Sequence, residues 1–213
     1  MVISWYGQAC FKLQSGSQTL IIDPFDKKIG LKPPAVEAQM VLVTHDHYDH
    51  NNVEAIKGEP FIADGPGEYE YQGIRVKGIR SFHDDKKGAE RGLNTIYVVR
   101  MEGLRIVHLG DLGQNELTDK QVEEIGSADV LMVPVGGVYT VSGSEAPGIV
   151  NQVEPRIAIP MHYALPGLSV QLDSVDVFLK EIGVKDLEPQ DKITVKKTSA
   201  GEDARTEVVL MKP

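Results

Sequence analysis

The residues of this sequence best suited to chemistry form a run of six, His-Asp-His-Tyr-Asp-His, at positions 45–50. The run holds three of the chain's six histidines and begins one residue after a strand-like apolar segment, residues 41–43. Imidazoles and carboxylates without cysteine are typical ligands of Zn²⁺, Mn²⁺ or Fe²⁺. The alternative, a polar surface turn that is rich in histidine by chance, explains neither the residue types nor the position after a buried strand. The run therefore predicts a set of metal ligands: His45, His47, Asp49 and His50.

The spacing within the run indicates how these side chains could share two ions. In an extended segment, His45 and His47 point to the same side of the chain, so both imidazoles can meet one ion. A turn after them would bring Asp49 and His50 toward a second ion nearby. The pattern differs from the helical His-Glu-x-x-His motif, whose two histidines lie four residues apart.

Further ligands must come from other parts of the chain, because one loop cannot supply a whole metal site. Each of the other three histidines comes at or just after the end of a predicted strand: His83, His108 and His162. Asp111 closes the same segment as His108. A lone histidine is more often packed or solvated than bound to metal. Several such positions, each at a strand end, favour one shared metal site.

The order of these motifs resembles that of the metallo-β-lactamase fold hydrolases. The matching features are an early aspartate after a strand, the His-x-His-x-Asp-His run, and three later strand-end residues; in this chain they are Asp23, the 45–50 run, His83, Asp111 and His162. The match spans residues 3–163. Within that superfamily, the opening segment and the surroundings of Asp23, Asp111 and His162 are similar to a small branch that includes L-ascorbate-6-phosphate lactonase-like proteins.

The resemblance implies an α/β (α+β) fold, the four-layer αβ/βα sandwich, with a dinuclear site at the sheet edge. It implies two divalent metal ions as cofactors, zinc in the first place and manganese or iron as alternatives. The first ion would be held by one set of ligands: His45, His47 and His83. The second ion would be held by another set, with a bridging carboxylate between the two: Asp49, His50 and His162, bridged by Asp111.

Four further roles follow from the resemblance or from position, some with open alternatives. Asp23 would orient a ligand histidine, or else be a turn-forming residue before Pro24. Gln8 stands where that branch often has histidine, which leaves its role open, although it can still donate a hydrogen bond. His108 would protonate a leaving group or bind an anionic substrate oxygen, or else make only a supporting hydrogen bond. Asp49 would also be catalytic, accepting a hydrogen bond from the nucleophile.

Strands and helices must position these residues, and short β-like runs recur along the whole chain. In the first half they resemble an antiparallel meander, with a hairpin turn at residues 14–18. In the second half they alternate with three helical patterns, the first of which opens with a capping box: 117–126, 144–153 and 173–183. Enough strands for two sheets, with helices to cover them, predict a layered α/β sandwich.

Composition and charge restrict the function. The 213 residues, 41% hydrophobic and 25% charged, predict a single domain at 1–213. A net charge of −9 argues against binding to nucleic acid or an anionic membrane, which usually requires a basic face. The single cysteine, Cys10, fits a reducing compartment, and we see neither a leader peptide nor a membrane-spanning apolar run. We expect a cytoplasmic protein that acts on a small molecule.

The expected function is that of a metal-dependent hydrolase. A hydroxide that bridges two ions would attack a lactone, an ester, an amide or a phosphorylated metabolite. A phosphodiesterase or nuclease is one alternative, but such members usually carry an extra domain or arm, for which the chain is short. A non-hydrolytic metal-binding protein is the other. Redox di-iron members tend to replace the second histidine of the run with glutamate, and His47 argues against this class.

Overall fold

Two mixed β-sheets form the centre of the computed structural model, which describes residues 1–197 and 205–213. In spatial order, the first sheet contains β12 (Lys192–Thr194), β1 (Val2–Trp5), β2 (Phe11–Ser15), β3 (Gln18–Ile22), β4 (Met40–Leu42) and β5 (Phe61–Ala63). The second contains β13 (Glu207–Val208), β11 (Ile157–Met161), β10 (Val130–Pro134), β9 (Leu104–His108), β8 (Leu93–Met101), β7 (Ile74–Phe82) and β6 (Gly67–Tyr71).

Apolar side chains from both sheets meet in one buried core. Along β2, Phe11 and Leu13 are fully buried while the residues between and after them are partly exposed, as expected for a strand with one face on the core. β3 is buried on both faces. Its Leu20 and Ile22 join the main core, and Ile21 joins a second buried cluster on the opposite face of the sheet.

The described chain has three short α-helices: α1 (Asp119–Ile125), α2 (Ala146–Val153) and α3 (Asp176–Glu181). α2 packs against β10 of the second sheet and contacts both α1 and α3. All three lie within the predicted helical segments. The predicted capping box of α1 is confirmed, because the Thr118 side chain accepts the Gln121 N–H and the Gln121 side chain returns to the Thr118 backbone. In the described part of the chain, no helix is long and apolar enough to cross a membrane.

Loops and two 3₁₀ helices, Lys27–Ile29 and Val53–Ala55, make up the layer outside the first sheet. Phe25 and Ile29 from this layer pack with Ile21 in the second buried cluster. The four layers of the predicted sandwich are therefore present, with irregular chain rather than α-helix in this outer one.

Strand direction in the first half of the chain differs from the predicted antiparallel meander. β1, β2 and β3 are antiparallel neighbours, but β3 pairs with β4, and β4 with β5, in parallel. Parallel pairing requires long crossover segments, which here are residues 23–39 and 43–60. Asp23 and the 45–50 run begin these crossovers, so the parallel pairing sets them side by side at one edge of the sheet.

Three strands of the second sheet end near the same site. β9, β10 and β11 are parallel, and β8 is antiparallel to both β7 and β9. β7, β9 and β11 therefore run in the same direction. His83 follows β7, His108 ends β9, and His162 follows β11, so the shared direction explains why residues far apart in sequence reach one edge.

A buried tyrosine joins the two sheets close to this edge. Tyr97 on β8 is fully buried, and its hydroxyl lies 2.9 Å from the Val43 carbonyl oxygen and 3.0 Å from that of Ala63. Burial raises the pKa of Tyr97, so the hydroxyl stays protonated and donates. The hydrogen bond connects β8 to the segments that follow β4 and end β5.

Replacing Tyr97 with phenylalanine should lower the free energy of unfolding by about 1–3 kcal/mol, because the Val43 carbonyl would stay buried without this donor. Denaturant unfolding of the metal-free proteins would measure the change. Tyr48→Phe is the control, since the Tyr48 side chain is 54% exposed and its hydroxyl should contribute less than about 0.5 kcal/mol. Equal stability of Tyr97→Phe and wild type would contradict the bridging role.

Candidate metal centre

The 45–50 run forms a compact turn after β4, not the extended segment that we predicted for its first residues. The His47 N–H donates to the His45 carbonyl at 3.1 Å, and the His50 N–H donates to the His47 carbonyl at 2.8 Å. The turn nevertheless brings the imidazoles together, with ring centroids 4.5 Å apart for His45 and His47 and 4.2 Å apart for His45 and His50.

The seven residues predicted as metal ligands converge from four segments of the chain. They form three overlapping groups in which the candidate ligand atoms lie within 4.8 Å of one another: His45, His47 and His83; His45, His50 and Asp111; and Asp49, His50 and His162. The first and third groups have the membership that the resemblance implies for two ions, and are called here the first trio and the second trio. The remaining group connects them through Asp111.

Asp111 lies at the centre of this cluster. Its Oδ2 atom is 3.2 Å from Nε2 of both His50 and His162, 3.4 Å from that of His83 and 3.9 Å from that of His45. Burial alone would raise the pKa of this carboxyl, but the imidazoles of His162 and His50 lower it well below its usual value. A single carboxylate that faces four imidazoles has the position expected of a bridging ligand.

Several buried atoms of the cluster have no hydrogen-bond partner, among them Nε2 of His45, Nε2 of His50 and Oδ1 of Asp111. Buried polar atoms are nearly always paired, so their concentration in one place points to a ligand that accepts electron pairs. Burial, reinforced by the charge of His50, lowers the pKa of His45 to about 2, and neutral imidazole is the form that binds metal. The set of nitrogen and oxygen donors therefore fits Zn²⁺, Mn²⁺ or Fe²⁺.

Asp23 supports this cluster from the end of β3. It is fully buried, and its Oδ2 lies 2.9 Å from Nδ1 of His50 and accepts the Thr44 hydroxyl at 2.7 Å. Its Oδ1 accepts the Thr44 N–H at 2.8 Å. With Nδ1 of His50 engaged by Asp23, Nε2 is left to face Asp111. These contacts favour the predicted orienting role over that of a simple turn residue.

Burial would lower the pKa of His50, but the carboxylates of Asp111 and Asp23 raise it well above its usual value. Without metal, the two carboxylates therefore favour the protonated form of His50. Metal binding must displace that proton, because only the free nitrogen can be a ligand.

His108 lies behind the cluster and is fully buried. Its Nε2 is 2.8 Å from the Ala9 carbonyl oxygen, and its Nδ1 accepts the Gly110 N–H at 3.1 Å. Burial lowers its pKa, which keeps the ring neutral. Because backbone groups engage both ring nitrogens, the structure favours a supporting hydrogen bond over direct contact with substrate.

Gln8, whose role the sequence left open, joins the site from the segment between β1 and β2. Its side chain is fully buried, and Nε2 lies 3.0 Å from Oδ2 of Asp49 and 2.9 Å from Nε2 of His162. The only sequence signal for this position was its place in the opening segment of the resembling branch. The contact itself spans 154 residues in the case of His162.

A cavity of about 680 Å³ opens onto the cluster. His47, Asp49, Asp111 and other cluster residues line its floor. Its outer part is lined by two exposed tyrosines and an arginine: Tyr48, Tyr139 and Arg91. The Arg91 guanidinium lies 5.5 Å from the centroid of the Tyr139 ring and donates to the Val138 carbonyl at 3.3 Å.

A buried aspartate shapes the loop that carries Arg91. Oδ1 of Asp84 accepts the N–H groups of Lys86 and Gly88, and Oδ2 accepts those of Glu90 and Arg91. Burial alone would raise the pKa of this carboxyl, but the four donors lower it to about 2. The loop is therefore an ordered structure that holds Arg91 at the rim of the cavity.

Comparison with known proteins gives the same picture. The family model described as "Beta-lactamase superfamily domain" matches residues 2–162. A UPF0173 metal-dependent hydrolase of Thermoplasma acidophilum is 32% identical over 189 residues, covering 76% of this chain and 82% of that protein. This chain belongs to the UPF0173 family of the metallo-β-lactamase superfamily. A UPF0173 metal-dependent hydrolase of Archaeoglobus fulgidus is also 32% identical, over 220 residues, with 88% and 93% coverage.

A solved structure confirms the predicted metallo-β-lactamase fold. A metallo-β-lactamase superfamily protein of Thermotoga maritima, whose name proposes a zinc-dependent hydrolase, is 35% identical to this UPF0173 protein. The two structures align with a TM-score of 0.79 over 99% of each chain. These relatives are named as metal-dependent hydrolases and not as lactonases, so the narrower resemblance to L-ascorbate-6-phosphate lactonase-like proteins stays a prediction.

Replacing Asp23 with asparagine should lower metal affinity about 10–100-fold, because His50 would lose the carboxylate that orients it. The backbone should tolerate the change, since φ of Asp23 is 48° and asparagine adopts this left-handed conformation readily. Competition with a chromophoric chelator would measure the affinity. Asp26→Asn, at the partly exposed N-cap of the 3₁₀ helix that follows, is the control and should bind metal like wild type. Unchanged affinity of Asp23→Asn would contradict the orienting role.

Proposed function

We propose that this UPF0173 protein is a hydrolase of a small molecule that works with two divalent metal ions, zinc in the first place and manganese or iron as alternatives. The observation that carries the proposal is the convergence of five imidazoles and two carboxylates, several with unpaired buried atoms, at the floor of an open cavity. The first trio would hold one ion, the second trio the other, and Asp111 would lie between them.

Bound divalent metal would supply an activated nucleophile, because it lowers the pKa of bound water toward neutrality. The chain's own residues would hold the metal, orient its ligands and accept protons. Asp49 is the proposed catalytic carboxylate at the cavity floor. Burial would raise its pKa, but the nearby imidazole of His50, whose Nε2 lies 3.6 Å from Oδ2 of Asp49, lowers it below the usual value. Asp49 thus stays ionised at neutral pH and can accept a hydrogen bond from the attacking water.

Substrates that fit this chemistry have an electrophilic carbonyl carbon or phosphorus atom, as in a lactone, an ester, an amide or a phosphorylated metabolite. The dimensions of the cavity suit a small molecule. Within residues 1–197 and 205–213, Arg91 forms no ion pair, so its charge remains available at the rim. We propose that Arg91 receives a carboxylate or phosphate group of the substrate, with the ring faces of Tyr48 and Tyr139 beside it.

Elemental analysis of freshly purified protein should find about two equivalents of metal per chain, as expected for a two-metal hydrolase. A screen of lactones, esters and phosphodiesters should then find turnover. Asp111→Ala should lose bound metal and all turnover, since Asp111 faces both trios. Asp46→Ala is the matched control, because Asp46 is an exposed aspartate in the 45–50 turn that contacts Asn51. Full metal content and full activity of Asp111→Ala would refute the site assignment.

Replacing Arg91 with alanine should raise KM for an anionic substrate at least about tenfold, the effect expected from losing a hydrogen bond to a charged group. The kcat value and the KM of a neutral analogue should change little. Lys87→Ala is the control, because Lys87 is an exposed cation of the same loop. An equal effect of Arg91→Ala on anionic and neutral substrates would show that Arg91 does not recognise charge.

A further inference from the structure

The amide group of Gln8 lies against the second trio in a way that bears on metal loading. Nε2 is 3.0 Å from Oδ2 of Asp49 and 2.9 Å from Nε2 of His162. An ionised carboxylate only accepts hydrogen bonds, so the amide nitrogen, not the oxygen, faces Asp49. One N–H group donates to Asp49, and the other lies toward Nε2 of His162, which accepts it in the tautomer that carries the imidazole proton on Nδ1. Asp49 and His162 are also two of the three members of the second trio.

The backbone holds Gln8 firmly in this position. Its carbonyl oxygen accepts the Trp5 indole N–H at 3.0 Å and the His162 backbone N–H at 3.0 Å. Its φ angle is 53°, a left-handed conformation that the two hydrogen bonds help to stabilise. The side chain is therefore presented to the second trio by the same contacts that anchor His162.

The two trios differ in the hydrogen bonds that a metal ion must displace before it binds. In the second trio, the Gln8 amide engages two of the three residues, and a cation must displace those hydrogen bonds before it can bind Asp49 and His162. In the first trio, Nε2 of His45 has no hydrogen-bond partner, whereas in the second trio the Nε2 atom without a partner is that of His50, the residue that Gln8 does not contact. Oε1 of Gln8 is itself buried without a partner. The amide is therefore oriented so that its N–H groups have contacts while its oxygen stays unpaired.

We propose that Gln8 makes the two metal sites unequal: its amide competes with the second ion, so the first trio loads first and the second trio binds metal more weakly. The inference rests on the proposed metal centre and adds to it a regulatory consequence. At limiting metal the protein holds one ion, and the complete two-metal site forms only when the concentration of free metal is higher.

Titration of the metal-free protein with Zn²⁺, in the presence of a competing chelator and followed by calorimetry, tests the proposal without any substrate. Wild type should show two binding steps of different affinity. Gln8→Leu, which keeps a similar side-chain volume but has no donor and no ligand atom, should bind the second ion at least about tenfold more tightly. The affinity of the first step should change less than about threefold.

Gln72→Leu is the matched control, because Gln72 is an exposed glutamine with a similar left-handed backbone, φ 50°, in the turn between β6 and β7. Both binding steps of this variant should equal those of wild type. If Gln8→Leu fails to fold, Gln8→Asn replaces it, since its shorter side chain withdraws the amide from the two acceptors and should shift the second step in the same direction.

Two results would overturn the proposal. Weaker binding of the second ion by Gln8→Leu would show that Gln8 is a ligand, through Oε1, and not a competitor. Identical isotherms for Gln8→Leu and wild type would show that the amide has no influence on loading. Absence of any zinc binding in wild type and in both variants is a different result, because it would refute the proposed metal centre itself.

Discussion

The dense packing of imidazoles and carboxylates around Asp111 is the interaction on which the rest of the structure depends. An isolated buried charge is costly, and here the Asp111 carboxylate has four imidazole nitrogens within 3.9 Å. The imidazoles cannot all be protonated, since like charges at this separation repel each other; the pKa of His50 is raised while that of His45 falls to about 2. Such a cluster suits a divalent cation, which supplies positive charge without protons and uses the unpaired nitrogens.

The strand directions in the two sheets make this packing possible. Each contributing strand ends at the same edge, because β3 and β4 are parallel in the first sheet and β7, β9 and β11 share one direction in the second. The buried hydroxyl of Tyr97 connects the two sheets at that edge. Rigid strands thus fix the polypeptide on both sides of the cluster, while the 45–50 turn, which would be irregular by itself, is held by Asp23 and Thr44.

Three buried polar residues around this centre position neighbouring groups through hydrogen bonds. Asp23 orients His50, Gln8 contacts Asp49 and His162, and Asp84 orders the loop that carries Arg91. Each has its acceptors or donors directed to a particular partner, which is why none of them could be exchanged for an apolar residue without leaving a neighbour unpaired. The cavity combines a floor of candidate metal ligands with a rim whose charge and aromatic surface are separate from it, so residues of the rim can change without altering these candidate ligands.

The sequence by itself determined the types and order of the candidate ligands, the fold class and the positions of the helices, because these follow from side-chain chemistry and from local patterns such as the Thr118 capping box. It did not determine the parallel pairing of β3 with β4, since a strand that is buried on both faces carries no mark of direction. Only the tertiary structure decided that Gln8 reaches His162 and that His108 is engaged by Ala9. These contacts join residues 154 and 99 positions apart, and no local pattern encodes a meeting of segments that are distant in the chain.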